Sequence, residues 1–326
     1  MRNRVGGAVP HTRFTDDDGP MKAYILKKLL ALPLILVGVS LLIFVAIRAL
    51  PGDPARMMAG PEATQEAVDN MRTRLGLDRS IAEQYGSFAY GAVRGDLGMS
   101  IKSKLPVVDE IAERMPFTLG LAVTAYLLAI AIGVPAGMIG AIYRHGWPDQ
   151  AVMLLAIAGA SIANFWLALM AMNTFSVSLG WLPLLGATSW KSFVLPSITL
   201  AVLPMAVIAR MTRSSMIEVL AQDYIRTARA KGVAPGSIYW SHALRNALIP
   251  IVTIVGLNFG SLIGGAVVTE SVFNWPGIGR LLVDSVRYRD YPVIQGVTLV
   301  AVTGVVVMNF LAEMAIAALN PKIRFD

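Results

Sequence analysis

The 326-residue sequence contains no cysteine. Disulfides, cysteine-ligated iron–sulfur clusters and thiol catalysis are therefore excluded. Only three histidines occur, His11, His145 and His242, scattered and with no cysteine beside them, so no zinc or other metal site is expected. Charged residues make up 15% of the chain, against roughly 25% in soluble domains, which places most of the chain in lipid. Also missing are a Gly-x-x-x-x-Gly-Lys-[Ser/Thr] phosphate loop, a His-Glu-x-x-His helix and a Gly-x-Ser-x-Gly nucleophile elbow. No enzyme constellation emerges, so no catalytic residue is assigned and no cofactor is expected on this chain.

What is present is apolar: 55% of residues are hydrophobic and the mean hydropathy is +0.60. Six stretches are long enough to cross a hydrocarbon core of about 30 Å, which takes roughly 20 helical residues. They lie at about 29–47, 117–143, 152–175, 193–211, 248–269 and 293–317. Backbone groups in lipid must bond internally, so the expectation is an all-α integral membrane protein with six transmembrane helices. Pro196 and Pro250 fall in expected first turns, whereas Pro33, Pro135 and Pro204 lie further in and predict kinks. The apolar run after Lys28 is too long for a signal-peptide core and reads as a retained first span.

The net charge of +7 admits a nucleic-acid reading, but positive residues flanking spans on the cytoplasmic side are the commoner cause in a membrane protein. Arg210, Arg213, Arg226, Arg229, Lys231 and Arg245 surround one connection, Lys22, Lys27 and Lys28 precede the first span, and Lys322 and Arg324 end the chain. Placing these on one side puts both termini and the fourth-to-fifth connection in the cytoplasm. The expected organisation is then a disordered extension over 1–20, with Met21 as a fresh start, and a first transmembrane helix over 21–50. A periplasmic cap follows over 51–116, then a core over 117–326 with five transmembrane helices and a cytoplasmic loop over 212–247.

The cap carries helix signals. Pro61 marks a helix start and Gly76 its end, Ser80 and Glu83 have capping-box spacing, and "PVVDEIAERMP" reads as a third short amphipathic helix. Such a cap is either a structural lid or a docking surface. On the fifth span Gly256, Gly260 and Gly264 recur every four residues, baring one face for close helix packing, with a pore-lining role as the alternative. Asn164, Asn173, Asn258, Asn309 and Glu313 are the most polar residues in spans. Of these, Asn164, Asn258 and Asn309 are the pathway candidates. After the fifth span, Asn274, Trp275, Pro276 and Gly277 form a turn signal. A helix follows with Ile278, Leu281, Leu282 and Val286 on one face, and Trp275 and Tyr288 are expected at the membrane interface.

The polar stretch "DYIRTARAKGVAPGSIYWSHALRNALIP" sits between two apolar runs. Asp223 is suited to cap a short helix, Tyr224 to Lys231, that Gly232 ends in a left-handed conformation. The helix carries Arg226, Thr227, Ala228, Arg229, Ala230 and Lys231, and Pro235 begins a second helix feeding the fifth span. A helix-turn-helix DNA reader would need this loop free of the membrane at both ends, which the flanking spans forbid.

This segment resembles the loop of permease subunits of bacterial ATP-binding-cassette importers, whose Glu-Ala-Ala, three residues, then Gly pattern docks into the ATPase. Here Arg226, Thr227 and Ala228 stand in place of Glu-Ala-Ala, as in the peptide-importer branch, and Gly232 is the Gly. "LPGDPARMMAG", "LGLDRSIAEQY", "GDLGMSI", "LGWLPLLGA", "FNWPGIGRLL" and "RDYPVIQG" look like the first permease of dipeptide, oligopeptide and glutathione importers. The resemblance implies a type I importer permease in the bacterial inner membrane. Its implied partners are a second homologous permease, two ATPase subunits that bind ATP and Mg, and a periplasmic solute-binding protein, whose contact is expected, from position and helix signals, at the outer cap and at residues 274–277. It implies alternating access for a peptide-like solute, with nickel or sugar as other solutes in the family. Outside the family the rivals are an ATP-independent secondary transporter, a membrane-embedded enzyme and a scaffold.

Overall fold

The computed structural model describes residues 19–48, 53–60, 62–74 and 76–319. Nearly all of the expected N-terminal extension, together with Pro61, Lys322 and Arg324, lies outside them. The helices are α1 (Gly19–Arg48), α2 (Pro54–Ala59), α3 (Gln65–Arg74), α4 (Ile81–Val93), α5 (Val107–Ile142), α6 (Trp147–Ser161) and α7 (Asn164–Ala171). They continue with α8 (Val194–Leu220), α9 (Asp223–Ala230), α10 (Pro235–Ser237), α11 (Arg245–Val272), α12 (Ile278–Tyr288) and α13 (Tyr291–Leu319). Among the described residues the β structure is a single isolated bridge, Met99 to Pro106.

Among the described residues, four segments are long and apolar enough to cross a membrane: Leu30–Arg48, Val107–Ile142, Trp190–Leu220 and Tyr291–Met314. A fifth crossing results if α6 and the α7 segment, Trp147–Ser161 and Asn164–Ser178, count as one span bent by 101°. The 28 residues of α11 reach about 42 Å at 1.5 Å per residue. They pack against α8 and α13.

The centre of the molecule is the contact of α5 with α8. Leu121, Ala125 and Ala129 meet Leu200, Ala201 and Ile208 there, and all are nearly or fully buried. Small residues permit the approach: a Cβ on Gly137 would overlap the Ala209 carbonyl and Thr212. Thr124 and Ser197 share a 2.9 Å hydrogen bond across the same seam. A second cluster joins the start of α5 (Val107, Ile111) to α12 and α13 through Ile278, Leu281, Val293 and Val297.

Several expectations are corrected. The "PVVDEIAERMP" helix is not separate: α5 runs unbroken through Pro116, because burial of Val107 and Ile111 offsets the hydrogen bond that proline cannot donate. The third span is not continuous, since Ile162 and Ala163 are extended between α6 and α7. Pro250 lies inside a helix rather than in its first turn, because α11 continues a π-helical segment, Ile238–Leu244. α3 begins at Gln65, where the Thr64 hydroxyl accepts from Ala67 N at 3.3 Å. Gly76 (φ +64°) and the reciprocal Ser80–Glu83 box are as expected. α4 leans on α1: Tyr85 shares a 2.8 Å hydrogen bond with Ser40 and meets Phe44 edge-on.

Candidate functional site

The polar segment forms one exposed helix and a rod. α9 exposes every residue except Ile225, which is fully buried in the central cluster, and Ala228, which is half-buried. Asp223 is the first helical residue and not the cap; Gln222 precedes it without a side-chain cap bond. Its carboxylate instead faces Arg226 at 3.4 Å in solvent, and still complements the positive end of the helix. The other end is closed by Gly232 at φ +77°. Gly232 N donates to Arg229 O at 3.0 Å and Val233 N to Ala228 O at 3.2 Å. These paired bonds satisfy carbonyls that the helix end would leave free, and they need a left-handed residue.

Two contacts root α9. Ile225 is one, and the other is Asn246 at the start of α11, whose Nδ2 donates to the Tyr224 hydroxyl at 2.8 Å. From Pro235 the chain runs through α10, the π-helical segment and α11 without a break. Arg226, Thr227, Arg229, Ala230 and Lys231 thus form a bare, mostly basic face on a helix fixed to a long rod.

Arg213, counted from sequence among the charges flanking the loop, is partly buried. Its guanidinium forms a two-pronged pair with buried Asp149 at the start of α6, with Nη2 to Oδ2 at 2.7 Å and Nε on Oδ1. His145 N donates to the same carboxylate at 2.9 Å. This pair ties α6 to α8 just before the chain enters α9.

The far end of α11 is sealed by Glu270, which sequence reading passed over. Its carboxyl group is fully buried and accepts from Thr118 Oγ1 at 2.6 Å and Arg280 N at 3.0 Å, with Gly279 N beside them. Thr118 Oγ1 in turn accepts from Ile278 N at 2.9 Å. Free amides at the start of α12 are thereby satisfied from two other helices. Gly277 and Gly279 leave the room that this carboxyl occupies.

Trp275 was expected at the membrane interface and is instead fully buried. Its Nε1 donates to Phe117 O at 3.2 Å, and its ring meets Phe193 edge-on at 4.5 Å. Gly277 is buried, Pro276 half-buried, and Asn274 exposed in a left-handed conformation. On α12 the buried face is Ile278, Leu281 and Ser285, while Val286 is exposed.

The glycine stripe divides. A Cβ on Gly256 would press on Ala312 at 2.7 Å and one on Gly260 on Val305 at 2.9 Å, so these two bring α11 against α13. Gly264 has nothing within 4 Å and packs no helix among the described residues. Asn164 and Asn258 meet Tyr126 and Pro204 at an otherwise apolar cavity of about 200 Å³ beside the α6–α7 bend. Asn309 does not line it; its side-chain oxygen is buried on α13 without a hydrogen-bond partner among the described residues.

Comparison with known proteins agrees with this layout. Residues 133–325 match the family described as binding-protein-dependent transport system inner membrane component, and 21–122 match its N-terminal companion. The chain is 48% identical, over 94% of its length and 100% of theirs, to the glutathione transport system permease protein GsiC of Escherichia coli K12 and of Shigella dysenteriae serotype 1. Among solved structures, an inward-facing MetNI methionine ABC transporter chain superposes with a TM-score of 0.56 at 21% identity, covering 64% of this chain and 96% of that one. In such systems the ATPase is a separate subunit. The matched segments together with the full-length relatives establish that the chain is a multi-pass bacterial inner-membrane permease belonging to the family of binding-protein-dependent transport system inner membrane components.

Proposed function

We propose that this permease moves peptide-like solutes (dipeptides, oligopeptides or glutathione) from a periplasmic binding protein into the cytoplasm by alternating access, driven by ATP. In this reading α1, α5, the bent α6–α7 pair, α8, α11 and α13 are six spans. Both termini and the loop 212–247 face the cytoplasm, and the cap 51–116 faces the periplasm. α9 docks into one of two ATPase subunits, and a second homologous permease completes a heterodimer. The observation that carries this is α9: a helix bare on nearly every side, yet locked by Gly232, Ile225 and Tyr224 to the rod that ends at Glu270. A helix so exposed and so firmly rooted is suited to receive force. The 48% identity to permeases named for glutathione transport supports the solute class.

When the ATPase pair closes on nucleotide, it draws α9 inward and the α11 rod carries that displacement outward. Nucleotide shifts the equilibrium only if α9 binds its partner differently in the two states. Asn164 and Asn258 lie where the solute would pass, beside the bend. The binding protein would meet exposed Asn274 and the outer face of α12, with Trp275 and Gly277 holding that surface from beneath.

The test is Gly232→Val in the assembled importer. A β-branched residue at φ +77° is strained by about 1–2 kcal/mol, so α9 frays at its end. Expected in vesicles is ATP hydrolysis no longer matched by uptake; normal coupled uptake would remove α9 from the mechanism. The bend itself favours one rival, because interrupted helices also build sites in secondary transporters. Solute uptake persisting after ATP depletion would select that reading.

A further inference from the structure

Where the C-terminal end of α1 meets α4 and the start of α13, a cavity of about 670 Å³ opens. Its size falls in the roughly 300–1,000 Å³ range of small-ligand sites. Phe44, Ile47, Leu77, Phe88, Leu97 and Ile101 supply apolar wall. The charged lining is Arg48, Arg72 and Arg79 against Asp53 and Asp96, three guanidiniums to two carboxylates and so one positive charge in excess.

The charges are unequally matched. Arg72 pairs with Asp53 at 2.5 Å. Arg48 is oriented but not neutralised: its Nε and Nη2 donate to Gln84 Oε1 at 3.1 and 2.8 Å, and its guanidinium lies 3.4 Å from the Phe44 ring centre. Arg79 has no ion-pair partner among the described residues, and Asp96 is exposed and accepts from Gly98 N. Gln295 of α13 also lines the cavity and is 8% exposed, so the part of its side chain left accessible faces that space.

We propose that this cavity binds the phosphodiester headgroup of an anionic membrane phospholipid. Arg48 and Arg79 hold the phosphate oxygens, for which a guanidinium fork is well shaped, and the Gln295 amide bonds the glycerol or ester oxygens. The excess charge of one matches the single charge of a phosphodiester. The acyl chains leave along α1, where Leu41, Leu42 and Val45 are 44%, 68% and 52% exposed. Free phosphate would satisfy the guanidiniums but would leave the apolar wall wet.

The site does not depend on which solute the assembly carries, and its test does not read transport. The complete importer is reconstituted in phosphatidylcholine discs, with phosphatidylglycerol, with inorganic phosphate, or with neither, and bound species are read by native mass spectrometry. Expected is phosphatidylglycerol retained over phosphatidylcholine. In the Arg48→Gln, Arg79→Gln double variant, retention should fall roughly tenfold or more, as loss of charge-assisted hydrogen bonds implies. Equal retention by the parent and the variant overturns the proposal, as does phosphate that binds as well in discs lacking phosphatidylglycerol. If the double variant does not assemble, Gln295→Leu decides: reduced retention supports the site, and unchanged retention overturns it.

Discussion

The two ends of the α11 rod are built on opposite plans. At the α9 end, one apolar side chain and one side-chain hydrogen bond hold a helix that is otherwise bare. At the α12 end, Glu270, Thr118 and Trp275 are all fully buried, and several hydrogen bonds converge from α5, α11 and α12. The difference separates two duties. If α9 docks as proposed, the surface that meets the partner is the one left uncommitted, whereas the far joint is sealed from water, where each bond is stronger and each loss more costly.

The largest test of that contrast is Glu270→Ala. It strands the Thr118 hydroxyl and amides at the start of α12 and leaves a cavity. A loss of about 3–5 kcal/mol is expected, read as a marked fall in melting temperature of the purified assembly. Arg213→Ala comes next, because it leaves the Asp149 carboxylate buried without its cation; about 3 kcal/mol is expected, tempered by the bond from His145 N. Gly256→Leu forces atoms into Ala312 at the α11–α13 contact and should cost about 1–3 kcal/mol by overpacking. The same change at Gly264, which faces open space within the chain, should be tolerated by this subunit's fold, measured by its melting temperature. The smallest effect is expected for Tyr224→Phe, which removes only the Asn246 bond from a half-exposed site, at about 1 kcal/mol or less. A Tyr224→Phe loss as large as that of Glu270→Ala would erase the distinction between the two ends.

Much of this was legible in the sequence, and what was not has physical causes. Apolar length located the long helices, and Gly232 announced the end of α9 through a conformation that other residues avoid. The α6–α7 bend escaped because Ser161, Ile162 and Ala163 include neither glycine nor proline, so nothing local marks it. Pro116 misled in the other direction: it looked like a boundary, but packing of Val107 and Ile111 against α12 and α13 carries the helix through it. Glu270 carries no mark in the sequence, because its partner Thr118 lies 152 positions away. Trp275 is amphipathic enough for an interface, and only the ring of Phe193 and the carbonyl of Phe117 show why it is inside.

The uninterrupted run from Pro235 to Val272 has a mechanical corollary. A continuous strut has little compliance along its axis, so under the proposed docking of α9 a push at one tip reaches the other with little lost, and its points of bending are the π-helical turns and Pro250. On that proposal, delay between the power source and the gate would arise at the strut's two couplings or at those two bending points.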